Sequence, residues 1–151
     1  GDLDIFLAGV GKGSLPNAVL IQEEIGIFSV APNHPLSSVD DVNFAMFGDL
    51  GNDGSLDVVL GRDGRNRVFT FINEIWIDQS SETKLGEKNF NSSDGAMVDI
   101  DHDGDLDVLF TNQNGPLEIY ADTGDIAYRD IAKDTGLDAA TFGVQLLILY
   151  A

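Results

Sequence analysis

Asp99-Ile100-Asp101-His102-Asp103-Gly104-Asp105-Leu106-Asp107 places five carboxylates at alternate positions around one glycine. Like charges this close repel one another unless a cation lies among them. Calcium suits the set, because it takes about six to eight oxygen ligands from carboxylates, carbonyls and water, and the glycine lets the chain turn sharply around the ion. The stretch therefore predicts a calcium-binding loop.

The pattern occurs again at Asp49-Leu50-Gly51-Asn52-Asp53-Gly54-Ser55-Leu56-Asp57, with carboxylates at the first, fifth and ninth positions. Gly51 stands at the third position, so one ligand is missing there. Gly1-Asp2-Leu3-Asp4 matches the last four positions of the motif, 104–107, and indicates a third copy. Repetition at matching positions argues against the plainer interpretation of each motif as a solvated acidic turn.

The flanks of the loops exclude a helix-loop-helix calcium site. That site requires a glutamate at loop position 12 and a helix on either side. Here position 12 is Leu60 or Phe110, and the flanking runs 42–47 and 57–60 are short, β-branched and aromatic. Such runs are typical of strands. The sequence therefore predicts a strand, loop, strand arrangement.

A repeat longer than the loop extends along the chain. The last aspartates of the three copies, Asp4, Asp57 and Asp107, are 53 and 50 residues apart, a period typical of propeller blades or a solenoid. Between the loops we expect four short strands per unit and no helix. The predicted fold class is all-β, with about three repeats of roughly 50 residues that form four-stranded antiparallel propeller-like blades with calcium-binding loops.

We expect a single array over 1–151, with repeats at about 1–41, 42–93 and 94–141 and the first strand of a further repeat at 142–151. For 144–150 the apolar pattern favours an ordinary buried strand. The alternative is a degenerate metal loop with Leu147 and Leu149 at its first and third positions. Three blades are fewer than the four to eight that close a ring. We therefore expect a segment of a larger array, or copies that assemble with their neighbours.

The composition limits the kinds of partner that this protein can bind and the environment in which we expect it. The 26 acidic and 8 basic residues give a formal net charge of −18, which disfavours binding to nucleic acid or to an anionic membrane. The longest apolar run near the end, 146–151, is too short to cross a bilayer. Without cysteine, no disulfide or thiolate chemistry is available. Incomplete ligand sets suit extracellular modules, which bind calcium at about 10⁻⁴ to 10⁻³ M, so we expect a secreted or cell-surface protein.

Segments 99–110 and 49–60 follow the motif Asp-x-Asp/Asn-x-Asp-Gly-x-x-Asp and then a hydrophobic strand, with Gly51 as the one departure. In this the chain resembles the FG-GAP and VCBS repeats of integrin α-subunit propellers and many secreted bacterial proteins. Segment 117–137 is similar to the linking segment of VCBS-type repeats. The Gly-Ala-Pro element of the integrin repeat is missing after the loops, so the bacterial type is the closer likeness.

The resemblance implies four-stranded blades with calcium in the loop that joins two strands of each blade. The ligands that it implies are the side chains of Asp99, Asp101, Asp103 and Asp107 with the carbonyl of Asp105, then Asp49, Asp53 and Asp57 with the carbonyl of Ser55, and Asp2 and Asp4 in the partial copy. We predict no other cofactor.

Two functions remain open. The first is an extracellular calcium-binding scaffold, structural or adhesive, that binds neighbouring repeats or a protein or glycan ligand and self-associates into a polymer or filament. The alternative is the propeller segment of a secreted glycan-binding or glycan-processing enzyme, which needs a convergent acid, base or nucleophile set. The two histidines, His34 and His102, fit surface positions better than such a set. We therefore expect no catalytic residues and no enzyme.

Overall fold

The computed structural model describes residues 3–9, 16–138, 143 and 145–149. The chain is all-β and its strands pair in antiparallel fashion. It divides into two compact units, Gly1–Val42 and Asn43–Ala151. The predicted repeats 42–93 and 94–141 thus fall almost wholly within the second unit.

The first unit is a three-stranded sheet in the order β1-β2-β3, made of β1 (Ile5–Leu7), β2 (Ala18–Glu24) and β3 (Ile27–Val30). Gly26, with φ +75°, closes the turn between β2 and β3, a left-handed conformation that glycine adopts without steric cost. Asn17 is fully buried and its Nδ2 donates to the carbonyls of Leu36 at 3.0 Å and Val39 at 2.6 Å. These bonds hold the short 3-10 turn Pro35–Ser38 against the sheet.

The second unit holds eight strands and one helical turn among its described residues. They are β4 (Val42–Gly48), β5 (Asp57–Arg65), β6 (Arg67–Ile72), β7 (Ile75–Asp78), α1 (Ser80–Thr83), β8 (Asn89–Val98), β9 (Asp107–Asn112), β10 (Glu118–Ala121) and β11 (Arg129–Asp130).

Successive strands pair within two groups. In the first meander, β4 to β7, each strand pairs with the next, and the second meander, β8 to β11, repeats this order. The meanders join where Asp63–Arg65 of β5 pair with Asn89–Asn91 of β8. Consequently β8 has β9 on one side and β5 on the other, and the predicted boundary at 93/94 falls inside it.

The core lies along the central strands β5 and β9. Val58, Val59 and Leu60 have no exposed surface, and β9 is buried along its whole length. Such continuous apolar runs suit strands that are covered on both faces. β4 packs so closely on β5 that a Cβ added to Gly61 would lie 2.0 Å from Cε1 of Phe44. Glycine is therefore required at position 61 for steric reasons.

The expectation of no helix is wrong at one place. α1 is a single turn in which the backbone N–H of Thr83 donates to the carbonyl of Gln79 at 3.0 Å. Asp78 Oδ1 accepts from the N–H of Ser80 at 3.0 Å just before it. Serine and aspartate side chains bond to nearby backbone groups and so compete with sheet pairing, which explains a helical turn directly after β7.

The strand expected at 142–151 is not formed over its described residues, 143 and 145–149. Side chains of β8 hold this segment instead, because Ser93 Oγ donates to the carbonyl of Gly143 at 2.6 Å and Asp94 Oδ2 accepts from the N–H of Leu146 at 2.9 Å. Leu147 and Leu149 are 78% and 80% exposed. The prediction of an ordinary buried strand is therefore wrong for these residues.

Candidate metal centre

The acidic loop 99–107 joins β8 to β9 and is organised by its own first aspartate. Asp99 Oδ1 accepts from the N–H of Asp103 and Oδ2 from the N–H of Gly104, both at 3.1 Å. At the other end, Asp107 Oδ2 accepts from the N–H of Ile100 at 2.8 Å. Gly104 has φ +100°, so the tight turn in mid-loop needs glycine. The sequence pattern thus folds into a closed loop whose first and last carboxylates bond to loop backbone.

The loop 49–57 between β4 and β5 repeats this network. Asp49 Oδ1 and Oδ2 accept from the N–H groups of Asp53 at 3.0 Å and Gly54 at 2.9 Å. Asp57 Oδ2 accepts from the N–H of Leu50 at 2.8 Å. Each bond has its counterpart 50 residues later in the chain. The two motifs therefore share one backbone structure and not only one spacing.

Three carboxylates of the second loop come together. Asp99, Asp101 and Asp107 each offer one oxygen within 4.8 Å of the other two. Carboxylate oxygens are hard ligands that suit calcium or magnesium. The donor set therefore fits a divalent cation, whose remaining ligands would be carbonyls or water. In the part of the chain that the structure describes, no other group of three potential ligands converges in this way.

The other predicted ligands do not belong to this group of three, and their binding of metal stays a prediction. Asp103 Oδ1 accepts from the N–H of Asp105 at 3.0 Å, and Asp105 Oδ1 accepts from Asn52 Nδ2 at 3.3 Å. Asp53 Oδ1 accepts from the N–H of Ser55 at 2.7 Å. The side chains of Asp49, Asp53 and Asp57 form no converging group, which agrees with the missing carboxylate at Gly51.

The structure describes only one of the two aspartates in the partial third copy of the motif. Asp4 Oδ1 accepts from the N–H of Gln22 at 3.0 Å and lies beside β1 and β2. Asp2 lies outside the described residues. The prediction that these two aspartates bind metal therefore stays a prediction.

Burial and like charge both act on the last aspartate of each loop. Burial raises the pKa of Asp107, hydrogen bonds from Ile100 and Asp122 oppose that rise, and the charges of Asp101 and Asp103 add to it. Burial also raises the pKa of Asp57, and the charge of Asp53 adds to the rise. An ionised carboxylate is therefore disfavoured at both places in the metal-free protein. A bound cation would relieve this cost.

The two loops differ at one oxygen. Asp107 Oδ1 accepts from the N–H of Asp122 at 3.0 Å. At the corresponding place in the first meander, the N–H of Phe71 donates to the carbonyl of Leu56 at 3.2 Å. Asp57 Oδ1 is consequently buried without a hydrogen-bond partner of ordinary geometry among the described residues, although Thr70 beside it lowers the pKa of Asp57 against the effect of burial.

Sequence reasoning missed Tyr128. Its hydroxyl lies 3.2 Å from the carbonyl of Leu50 and 3.1 Å from that of Leu106, one in each acidic loop. Burial, and then the charge of Asp122, raises the pKa of this phenol, so it remains a donor. A single tyrosine outside any motif gives no sequence signal for such a role, and only the fold brings it beside both loops.

The described residues contain no helix of the length and apolarity that a membrane span requires. No curated protein matches the chain at a significant level. A family model described as FG-GAP-like repeat matches residues 49–110, which run from the first aspartate of one loop to the strand after the other. Both loops, their shared hydrogen-bond network, the strand β5 and the first four residues of β9 lie within this match. Residues 49–110 of this chain are therefore an FG-GAP-like repeat.

Proposed function

We propose that this chain is part of an extracellular β-propeller-type protein that binds calcium and serves as a structural or adhesive scaffold. The observation that carries the proposal is the convergence of Asp99, Asp101 and Asp107 within 4.8 Å in a loop between two strands. Two four-stranded meanders, each with an acidic loop of the same design between its first and second strands, support blades of a propeller. Because the chain has no cysteine, disulfide bonds cannot stabilise the loops, and metal binding takes that role in this proposal.

Calcium binding to the folded state alone adds RT ln(1 + [L]/Kd) to stability. At ten times Kd this amounts to about 1.4 kcal/mol. We expect calcium to raise the free energy of unfolding of the native chain and to have little effect on Asp101→Asn. Asp105→Asn is the matched control in the same loop, because it keeps the backbone carbonyl and removes a carboxylate that lies outside the converging group.

Calcium titration followed by thermal unfolding in calcium and in chelator tests this function. If Asp101→Asn and Asp105→Asn respond to calcium equally, the converging group is not the binding site. If calcium leaves the native chain unchanged as well, the proposal of a calcium-binding scaffold fails.

Self-association is a second candidate function, and the exposed sheet edge of the first unit favours it. All four residues of β3 are exposed, with Ile27 at 56% and Val30 at 55%. Ile25 in the preceding turn is 98% exposed. An apolar edge strand is a template for pairing with another chain, and a second copy of this chain offers the same edge. Sedimentation of the native chain and of Ile27→Lys tests this, because the lysine should shift the population to monomer.

A further inference from the structure

A cleft of about 310 Å³ lies within the second unit, beside the first acidic loop. Apolar side chains, including Val68, Ile72 and Ile126, form part of its wall. Carboxylates from three segments also line it, namely Asp53, Asp57, Asp105, Asp122 and Asp125. The cleft thus combines an apolar surface with five carboxylates.

One carboxylate oxygen in this cleft has no hydrogen-bond partner of ordinary geometry among the residues that the structure describes. Asp57 is 3% exposed, and its Oδ1 is buried with no hydrogen-bond partner of ordinary geometry in the described chain. In the second loop the equivalent oxygen, Oδ1 of Asp107, accepts from the N–H of Asp122, the residue directly after β10. In the first loop the residue opposite Asp57 is Thr70, which lines the cleft. A buried acceptor without a donor destabilises the folded protein, and a donor that enters the cleft would relieve this destabilisation.

A small metal ion does not fit this arrangement. No three of the cleft carboxylates bring oxygens within 4.8 Å of one another, whereas Asp99, Asp101 and Asp107 do. The volume also exceeds what one ion fills, since a water molecule occupies about 30 Å³ in the liquid. The acceptors are therefore spaced for a cation that carries several separated donors.

A guanidinium group has this character. It is always charged and directs five N–H donors in a plane, and the methylene stem of arginine packs on apolar surface. We propose that the cleft binds an arginine side chain from a basic segment of a protein partner, with Asp57 Oδ1 as the buried acceptor and Asp122 and Asp125 as the outer carboxylates.

The surrounding charge favours a segment over a single free amino acid. Asp53 is exposed and takes no part in binding the first side chain, so its carboxylate remains available to a further positive charge next to the bound one. The net charge of −18 attracts a basic segment over a distance and speeds its association. The choice of a protein as partner rests on the adhesive function proposed above, whereas the preference for a guanidinium follows from the cleft alone.

The test uses a blocked tri-arginine peptide and, as neutral control, the tri-citrulline peptide of the same shape. Binding to the ¹⁵N-labelled chain is followed by nuclear magnetic resonance. We expect the amide signals of Thr70 and Gly124 to shift with tri-arginine and not with tri-citrulline, and the affinity to fall with added salt. Blocked single arginine should bind in the same place at least about tenfold more weakly, because it leaves the exposed carboxylate of Asp53 unpaired.

Single substitutions test whether the tri-arginine peptide binds in this cleft. Asp125→Asn should weaken binding by about threefold to tenfold, as expected for one exposed charge. Asp57→Asn should weaken it more than about tenfold, since a buried charged acceptor is lost. Asp63→Asn, an exposed aspartate of β5 away from the cleft, is the matched control and should bind as the native chain does. If Asp57→Asn does not fold, the comparison of Asp125→Asn with Asp63→Asn still shows whether the peptide binds in the cleft.

Three results would overturn the proposal. Equal binding of the arginine and citrulline peptides would show that charge is not recognised. Equal losses in Asp125→Asn and Asp63→Asn would reduce the effect to general attraction by an acidic protein. Equal affinity for single arginine and the peptide would make the cleft a small-molecule site. Repeating the titration in chelator separates this proposal from calcium binding, because arginine binding should persist there even if the calcium function fails.

Discussion

Asp57 and Asp107 end two loops of the same design, 50 residues apart, and differ in one hydrogen bond: Asp107 Oδ1 accepts from the N–H of Asp122, while Asp57 Oδ1 has no partner of ordinary geometry among the described residues. The difference follows from the strand opposite each loop. In the first meander the corresponding donor, the N–H of Phe71, is bonded to the carbonyl of Leu56. Two copies of one motif have thus acquired different chemical surroundings.

The first loop should gain a calcium site when its missing ligand is supplied. A Cβ at Gly51 meets nothing closer than 3.9 Å, so Gly51→Asp fits without strain and adds a carboxylate at the third loop position. We expect isothermal titration to show one more calcium bound per chain than in the native protein. Gly51→Ala is the control, because it makes the same backbone change without a ligand. An unchanged stoichiometry in Gly51→Asp would contradict the assignment of loop positions.

Gly61→Ala should destabilise the second unit. The added methyl would lie 2.0 Å from Cε1 of Phe44, and overpacking of this kind costs about 1 to 3 kcal/mol. Urea unfolding measures the loss, and Gly51→Ala should show little of it. Phe44→Leu in the same chain should restore part of the stability. If the double variant is no more stable than Gly61→Ala alone, the clash with Phe44 is not the cause.

Tyr128→Phe should weaken both the fold and calcium binding at the Asp99 loop. The phenol lies within hydrogen-bond distance of the carbonyls of Leu50 and Leu106, which share its one O–H donor. Its loss removes that donor, at a cost of about 1 kcal/mol or more. Tyr120→Phe is the comparison, because that hydroxyl bonds Glu118 and touches neither loop. It should lower the free energy of unfolding and leave calcium affinity unchanged. Equal calcium affinities in both variants would count against the bridging role.

Acid should remove the stabilising contribution of Asp130. Burial raises the pKa of this carboxyl, but hydrogen bonds from the Lys88 side chain and the Ala132 backbone outweigh it and lower the pKa below 3.8. A lowered folded pKa adds stability above the ordinary pKa and loses it as pH falls through the folded value. Because both partners are over a third exposed, the contribution should stay below about 1 kcal/mol.

Urea unfolding of the native chain and Asp130→Asn at pH 7 and pH 2 checks this sign. The difference in free energy of unfolding should be present at pH 7 and absent at pH 2. Asp134→Asn removes an exposed partner of Arg129 and should leave stability unchanged at both values. A difference that grows on acidification would reverse the expected direction.

The loops and most strands could be predicted from local pattern. Carboxylates at alternate positions around glycine fix the backbone of both acidic loops, and alternation within 68–72 and 75–78 predicts β6 and β7. The segment near the end of the chain could not be predicted this way, because side chains of Ser93 and Asp94 bond to Gly143 and Leu146 and the residues described there form no strand. Local pattern also does not predict the roles of Asp122 and Tyr128, because these roles depend on contacts between residues far apart in the sequence.

Because β8 pairs with both β5 and β9, it determines where this repeat can be cut and moved into another protein. A cassette that ends at 93/94, where the sequence period suggests a boundary, would cut the strand Asn89–Val98 in two. The three-residue ladder with β5 would remain in one fragment, and most of the ladder with β9 would remain in the other. The connection between α1 and β8, residues 84–88, crosses no ladder. Exchange of repeats between proteins of this architecture should therefore succeed at junctions before β8. The exchangeable segment then begins with the strand that leads into an acidic loop.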